Sequence, residues 1–128
     1  MDKKVVTSPK APRPVGPYSQ AIEAGDFIFL SGQVGLDPQT NQLAPGGLAG
    51  QAAQALDNLT GVLQTMGLDL SAVVKMTVFL TDMADFPALN EVYAKYFSAD
   101  PPARSCFAVK DLPLGAKVEM EAVAVKTR

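Results

Sequence analysis

Leu48-Ala49-Gly50-Gln51-Ala52-Ala53-Gln54-Ala55-Leu56-Asp57-Asn58-Leu59-Thr60-Gly61-Val62-Leu63-Gln64-Thr65-Met66 sets the plan of this chain. Its apolar residues Ala52, Leu56, Leu59, Leu63 and Met66 recur three and four apart, the spacing that lines them along one stripe of a helix. Gly67 follows where a helix end takes a left-handed residue. A second helix is predicted after Asp85, which can cap it, with Pro87 harmless in the first turn. Its buried face would be Phe86, Leu89, Tyr93, Tyr96 and Phe97, and Ala99-Asp100-Pro101-Pro102 ends it. The remaining periodic stretches are extended. Residues 8–17 carry four prolines and read as an extended arm. Tyr18 to Ala24 reads as a strand, Gly25-Asp26 as a turn, and Phe27 to Gly35 as a second strand. The latter is so apolar at its start that burial on both faces is expected. Asp37 to Gln42 is turn chemistry, and a Gly46-Gly47 loop leads into the helix. Val73 to Thr81 alternates, with Val74, Met76, Val78 and Leu80 on one face. Arg104 to Val109 and Lys117 to Val125 complete the strands, with a turn at Asp111 to Gly115. Two helices cannot cover both faces of a sheet of about five or six strands, so the expectation is an α+β domain over residues 1–128 with helices on one side. The other face is left open or buried in an oligomer.

Composition excludes several function classes. With 48% apolar and 19% charged residues the 128-residue chain fits one globular domain. A formal net charge of −2 offers no basic footprint for DNA or RNA. No apolar run approaches the ~20 residues of a membrane span, and Met1 to Val6 lacks the apolar core of a signal peptide. A single cysteine, Cys106, excludes an internal disulfide and suits a reducing cytoplasm. Histidine is absent, which removes Ser-His-Asp and Cys-His machinery and His-ligated zinc. Any catalysis must use carboxylates, Tyr, Arg, Cys, backbone groups and water.

Arg104 heads the candidates. Arginine occurs only at positions 13, 104 and 128, and Arg104 alone stands inside an apolar, strand-like run, after Pro101-Pro102-Ala103. A guanidinium there needs a carboxylate or several carbonyl partners, and its planar fork suits the carboxylate of a small anionic substrate. A structural arginine remains the commoner case without further context. Alternation puts Glu119, Glu121, Val123 and Val125 on one face of the last strand. A solvated strand end and a cavity-facing carboxylate that handles a water are equally open for the two glutamates, and their shared face does not choose between them. Tyr18, behind Gly16-Pro17, reads as core with its hydroxyl at a rim. Cys106 shares the Arg104 face and reads as a small buried filler with no partner to lower its pKa. Gly32 after Ser31 suggests close approach of a ligand or another chain. The Gly46-Gly47 loop fits no phosphate motif.

With these residues in place, the chain resembles the RidA/YjgF/translation-inhibitor family of reactive-intermediate deaminases. The likeness rests on Gly16-Pro17-Tyr18-Ser19-Gln20, Phe29-Leu30-Ser31-Gly32-Gln33, Gln54-Ala55-Leu56-Asp57-Asn58-Leu59, Val74 to Leu80, Pro102-Ala103-Arg104-Ser105-Cys106 and Val118 to Ala124, nearly the full length. It implies a chorismate-mutase-like mixed sheet with two helices on one face, assembled as a barrel-like homotrimer with ligand clefts between subunits. It also implies hydrolysis of 2-iminopropanoate and 2-iminobutanoate, which leak from PLP-dependent dehydratases, to 2-keto acids and ammonia. No metal or cofactor is implied. The family's carboxylate-binding arginine falls on Arg104, its water-holding glutamate on Glu119 and its aromatic pocket residue on Tyr18. The backbone around Ser31, Gly32 and Cys106 lines the cleft. The last strand is implied to run between others, so Arg104 and Glu119 need not pair. A non-catalytic sensor of small carboxylates using the same clefts is the alternative. RNA cleavage is opposed by the acidic charge and missing histidines, and holdase activity has no signal either way.

Overall fold

A computed structural model describes residues 2–126. The strands are β1 (Lys3–Val6), β2 (Ala21–Ala24), β3 (Phe27–Val34), β4 (Val73–Leu80), β5 (Ala103–Ala108) and β6 (Val118–Val125), and the helices are α1 (Gly47–Thr65) and α2 (Phe86–Tyr96). They form one six-stranded sheet in the order β1-β2-β3-β6-β4-β5. Every neighbouring pair is antiparallel except β4 and β5. Parallel neighbours need a crossover, and α2 supplies it. Helix α1 packs on β3, β6 and α2, so both helices lie on one side, as expected.

The core lies between this inner face and the helices. Ile28, Met76, Val78, Leu80, Val118 and Met120 from the sheet meet Leu56, Leu59, Val62, Leu63 and Leu89 from the helices, all fully buried. Alternation along β6 comes out as read, with Val118, Met120, Ala122 and Ala124 inward and Glu119, Glu121, Val123 and Val125 outward. Helix α1 ends in a Schellman motif: Gly67 (φ 74°) donates to the Gln64 carbonyl and Leu68 to that of Leu63, each at 3.0 Å.

Several expectations are corrected. β3 is not buried on both faces; Phe27 and Phe29 are 47% and 48% exposed, because no helix covers the outer face on which alternation places them. Val74 is not part of the inward stripe. The β4–β6 register steps from Val73↔Ala124 to Lys75↔Val123, making Val74 the extra residue of a bulge and leaving Val73 buried in its place. Asp85 occupies the helix N-cap position, but its side chain makes no capping bond. The turn ahead of α2 is instead capped by Asp82, which accepts from the Ala84 N–H at 2.9 Å. Strand β1 is additional; four mostly exposed residues carry no readable periodicity.

The proline arm between β1 and β2 is clamped. Gln20, 3% exposed, accepts from the Ser8 N–H at 2.5 Å and donates to the carbonyls of Ser8, Ala11 and Pro12 at 3.1, 3.3 and 2.9 Å. No helix among the described residues is long and apolar enough to cross a membrane.

Candidate active site

The outer-face site begins with a fault in the ladder. Pairing of β3 with β6 steps from Leu30↔Ala122 to Gln33↔Met120, so Ser31 and Gly32 bulge out of register. The Ser31 hydroxyl donates to the Ser19 carbonyl at 2.6 Å, and its N–H to the Gln20 carbonyl at 2.9 Å. These bonds tie the bulge to the end of the arm, where Tyr18 turns tightly with its N–H on the Gly16 carbonyl at 2.9 Å. The half-exposed Tyr18 hydroxyl accepts from the Val15 N–H at 3.3 Å.

Gly32 lies against Glu119. A Cβ on Gly32 would stand 2.9 Å from both the carboxyl carbon and Oε2 of that side chain. Within this chain the group that approaches the bare backbone of Gly32 is the Glu119 carboxyl. Burial raises the Glu119 pKa above the ordinary carboxylate value, and the nearby charge of Glu121 adds to the effect. The carboxyl borders a cavity of about 390 Å³ with Tyr18, Ser31, Gly32 and Glu121 around it. Arg13, Val15 and Leu114 are among the other residues that line it. A carboxylate of raised basicity beside an accessible void is suited to accept a proton from water.

Arg104 lies elsewhere. It stands opposite Met76, which faces inward, whereas Glu119 stands opposite Phe79 on the outer face. Within one chain the two residues are therefore on opposite sides of the sheet. The Arg104 Nη1 donates to Asn90 Oδ1 at 2.9 Å, and the guanidinium carbon sits 4.7 Å from the Tyr93 ring centre and 5.5 Å from that of Phe86. Among the described residues the one ion pair is Lys126 with Glu23 at 3.0 Å, so Arg104 is held by an amide and two aromatic faces and has no carboxylate partner. Its cleft is lined by Asn90, Tyr93, Phe97, Pro101 and Pro102. Burial pushes the Tyr93 hydroxyl up to about 12 despite the opposing pull of Arg104. Cys106 follows on the same side, part-buried against the core; burial raises its thiol pKa and the Arg104 charge only partly offsets this. It is no preformed thiolate.

Tyr18, Ser31, Gly32 and Glu119 thus gather in one cavity, while Arg104 and Cys106 sit on the edge strand β5 away from it. Sequence reasoning missed Arg13 and Asn90. Asn90 had a signal: it falls four residues after Phe86 and three before Tyr93, a polar residue on the apolar stripe of α2. Arg13 had none, since a proline arm has no period. Among the described residues no three His, Cys, Asp or Glu side chains gather in a way that could hold a metal ion.

The family model described as Endoribonuclease L-PSP matches residues 8–126. The chain is 50% identical over 124 residues to the 2-iminobutanoate/2-iminopropanoate deaminase of Mus musculus, covering 97% of this chain and 92% of that one. The crystal structure of E. coli TdcF with bound serine superposes with a TM-score of 0.92 at 39% identity, covering 97% and 99% of the two chains. That of the E. coli YjgF gene product gives 0.92 at 38% identity, with the same coverage. Ordered motifs, one-sided sheet and relatives agree: this chain belongs to the Endoribonuclease L-PSP family, the RidA/YjgF family that its sequence resembles.

Proposed function

We propose that this protein is an enzyme that hydrolyses reactive 2-imino acids to 2-keto acids and ammonia, with 2-iminopropanoate and 2-iminobutanoate as substrates. The observation that carries the reading is the Glu119 carboxyl, raised in pKa and seated on Gly32 at the wall of a cavity shared with Tyr18. Relatives at 46–50% identity bear the name of that activity. Because Arg104 and Glu119 lie on opposite sheet faces, a complete site needs Arg104 and the Cys106 main chain from a neighbouring subunit. The exposed apolar side chains of Phe27, Phe29 and Phe107 on the outer face favour such a contact, and a homotrimer is the assembly we infer. The substrate would come from PLP-dependent dehydratases in the cytoplasm.

In this mechanism Arg104 binds the substrate carboxylate through two parallel N–H donors, already oriented by Asn90 and the Tyr93 ring. Glu119 and the Cys106 main chain hold one water against the C=N carbon. The water oxygen bonds to the carbon of the protonated imine as one water proton passes to Glu119, forming a neutral carbinolamine. Glu119 returns that proton to nitrogen, the C–N bond breaks with its electron pair on nitrogen so that ammonia leaves, and the hydroxyl proton passes to the freed Glu119 carboxylate as the oxygen becomes the keto group. Competition with semicarbazide tests this. An amino-acid oxidase generates the imines, and the protein is expected to divert them to keto acid before trapping; an unaltered trapping rate refutes the reading. The serine bound in E. coli TdcF favours a second reading, in which the clefts bind small carboxylates without turnover. Saturable binding with no hydrolysis in the same assay selects it.

A further inference from the structure

The cation that shares a cavity with Glu119 in this chain is Arg13, and the proposed reaction leaves it without a role. Three observations make it a ligand group. First, its backbone is fixed: Pro12 and Pro14 flank it, and Gln20 holds the Pro12 carbonyl at 2.9 Å. Second, its guanidinium is uncommitted. Glu119 and Glu121 line the same cavity, yet neither lies within ion-pair distance of it, and Lys126 with Glu23 is the only ion pair among the described residues. Third, the cavity that Arg13 and Glu119 share also carries the apolar side chains of Val15 and Leu114, 73% and 60% exposed, so a methylene chain has somewhere to lie.

We propose that Arg13 binds a second carboxylate on the substrate side chain, so that this enzyme also accepts 2-imino dicarboxylic acids of about five carbons. The inference rests on the deaminase reading. In it, Arg104 of a neighbouring subunit takes the carboxylate next to the imine, Glu119 handles water at the imine carbon, and Arg13 grips the far end with its paired donors. Without Arg13 the distal carboxylate would face Glu119 and Glu121 with no cation from this chain on the cavity wall.

The experiment measures kcat/KM for 2-iminoglutarate and 2-iminobutanoate, generated by amino-acid oxidases from glutamate and 2-aminobutanoate, with wild type, Arg13→Gln and Arg13→Lys. The ratio of the two constants is expected to fall roughly ten- to hundred-fold in Arg13→Gln, the scale of a lost charge-assisted bond, and to recover in part in Arg13→Lys. An unchanged ratio overturns the assignment. So does a wild type that hydrolyses 2-iminobutanoate and leaves 2-iminoglutarate untouched. A wild type that hydrolyses neither refutes the deaminase reading instead, and calorimetric binding of 2-oxoglutarate then decides on Arg13. Binding weakened at least ten-fold in Arg13→Gln keeps the carboxylate site, and binding equal to wild type removes it.

Discussion

Gly32→Ala isolates the position of the Glu119 carboxyl from its chemistry. The new methyl would stand 2.9 Å from Cδ and Oε2 of Glu119 and 3.1 Å from Cγ, where ordinary contact begins at 3.4 Å. The carboxyl must therefore retreat by at least about 0.5 Å. Backbone strain does not enter, because Gly32 is not among the positive-φ residues. The obstacle is the far end of a flexible side chain at a cavity wall, so the folding cost stays within about 1 kcal/mol. That places it at or below the low end of overpacking, further offset by the smaller entropy of the unfolded chain. Catalysis is far less tolerant: misplacing a reacting group by ~1 Å costs about 100-fold, so a loss of roughly ten- to hundred-fold in kcat/KM is expected. The assay pairs semicarbazide competition with a thermal melt. Full activity in a folded variant would refute the role of Glu119 geometry. A Tm fall of more than about 5 °C would show that the methyl strikes something stiffer than this carboxyl.

Arg104→Ala should abolish measurable hydrolysis while the variant keeps the oligomeric state of wild type by light scattering; full activity in it would remove Arg104 from the reaction. Arg104→Lys should lose at least about ten-fold, because an ammonium cannot reproduce the two-donor grip. Glu119 has a folded pKa above its ordinary value, so its contribution to stability is complete below the ordinary carboxylate range and is lost as pH rises through the folded pKa. Glu119→Gln should accordingly melt above wild type at neutral pH and alongside it in acid, while wild-type kcat/KM climbs with pH across the same window. Gln20→Ala strands the Ser8 N–H and three carbonyls of the arm, and urea unfolding should show a loss of about 2–4 kcal/mol together with faster proteolysis between β1 and β2.

How far the sequence spoke depended on whether the information was local. Helix α1 was legible because Ala52 to Leu63 keep a helical period and Gly67 stops it, and β6 because its alternation runs unbroken from Val118 to Val125. Val74 was misplaced because a bulge shifts the period by one residue and is visible only against the partner strand. The Ser31-Gly32 bulge was hidden for the same reason, although Gly32 did signal a close approach. Opposite facing of Arg104 and Glu119 is a relation among three strands, β5, β4 and β6, which no single stretch encodes. Asp82 and Asp85 are both plausible caps three residues apart, and only the geometry of the turn between them selects the former.

Placing β6 between β3 and β4 has a consequence for how the chain is made. Until Val118–Val125 have emerged from the ribosome, β1-β2-β3 and β4-α2-β5 are two separate ribbons, each with a raw edge and no ladder between them. Neither half can hold α1 against a finished inner face, because Val118, Met120, Ala122 and Ala124 are still missing from it. Folding is thus deferred until β6 is available, with two sticky edges held in waiting. A stall before Val118 leaves a nascent chain that aggregates instead of a partial domain.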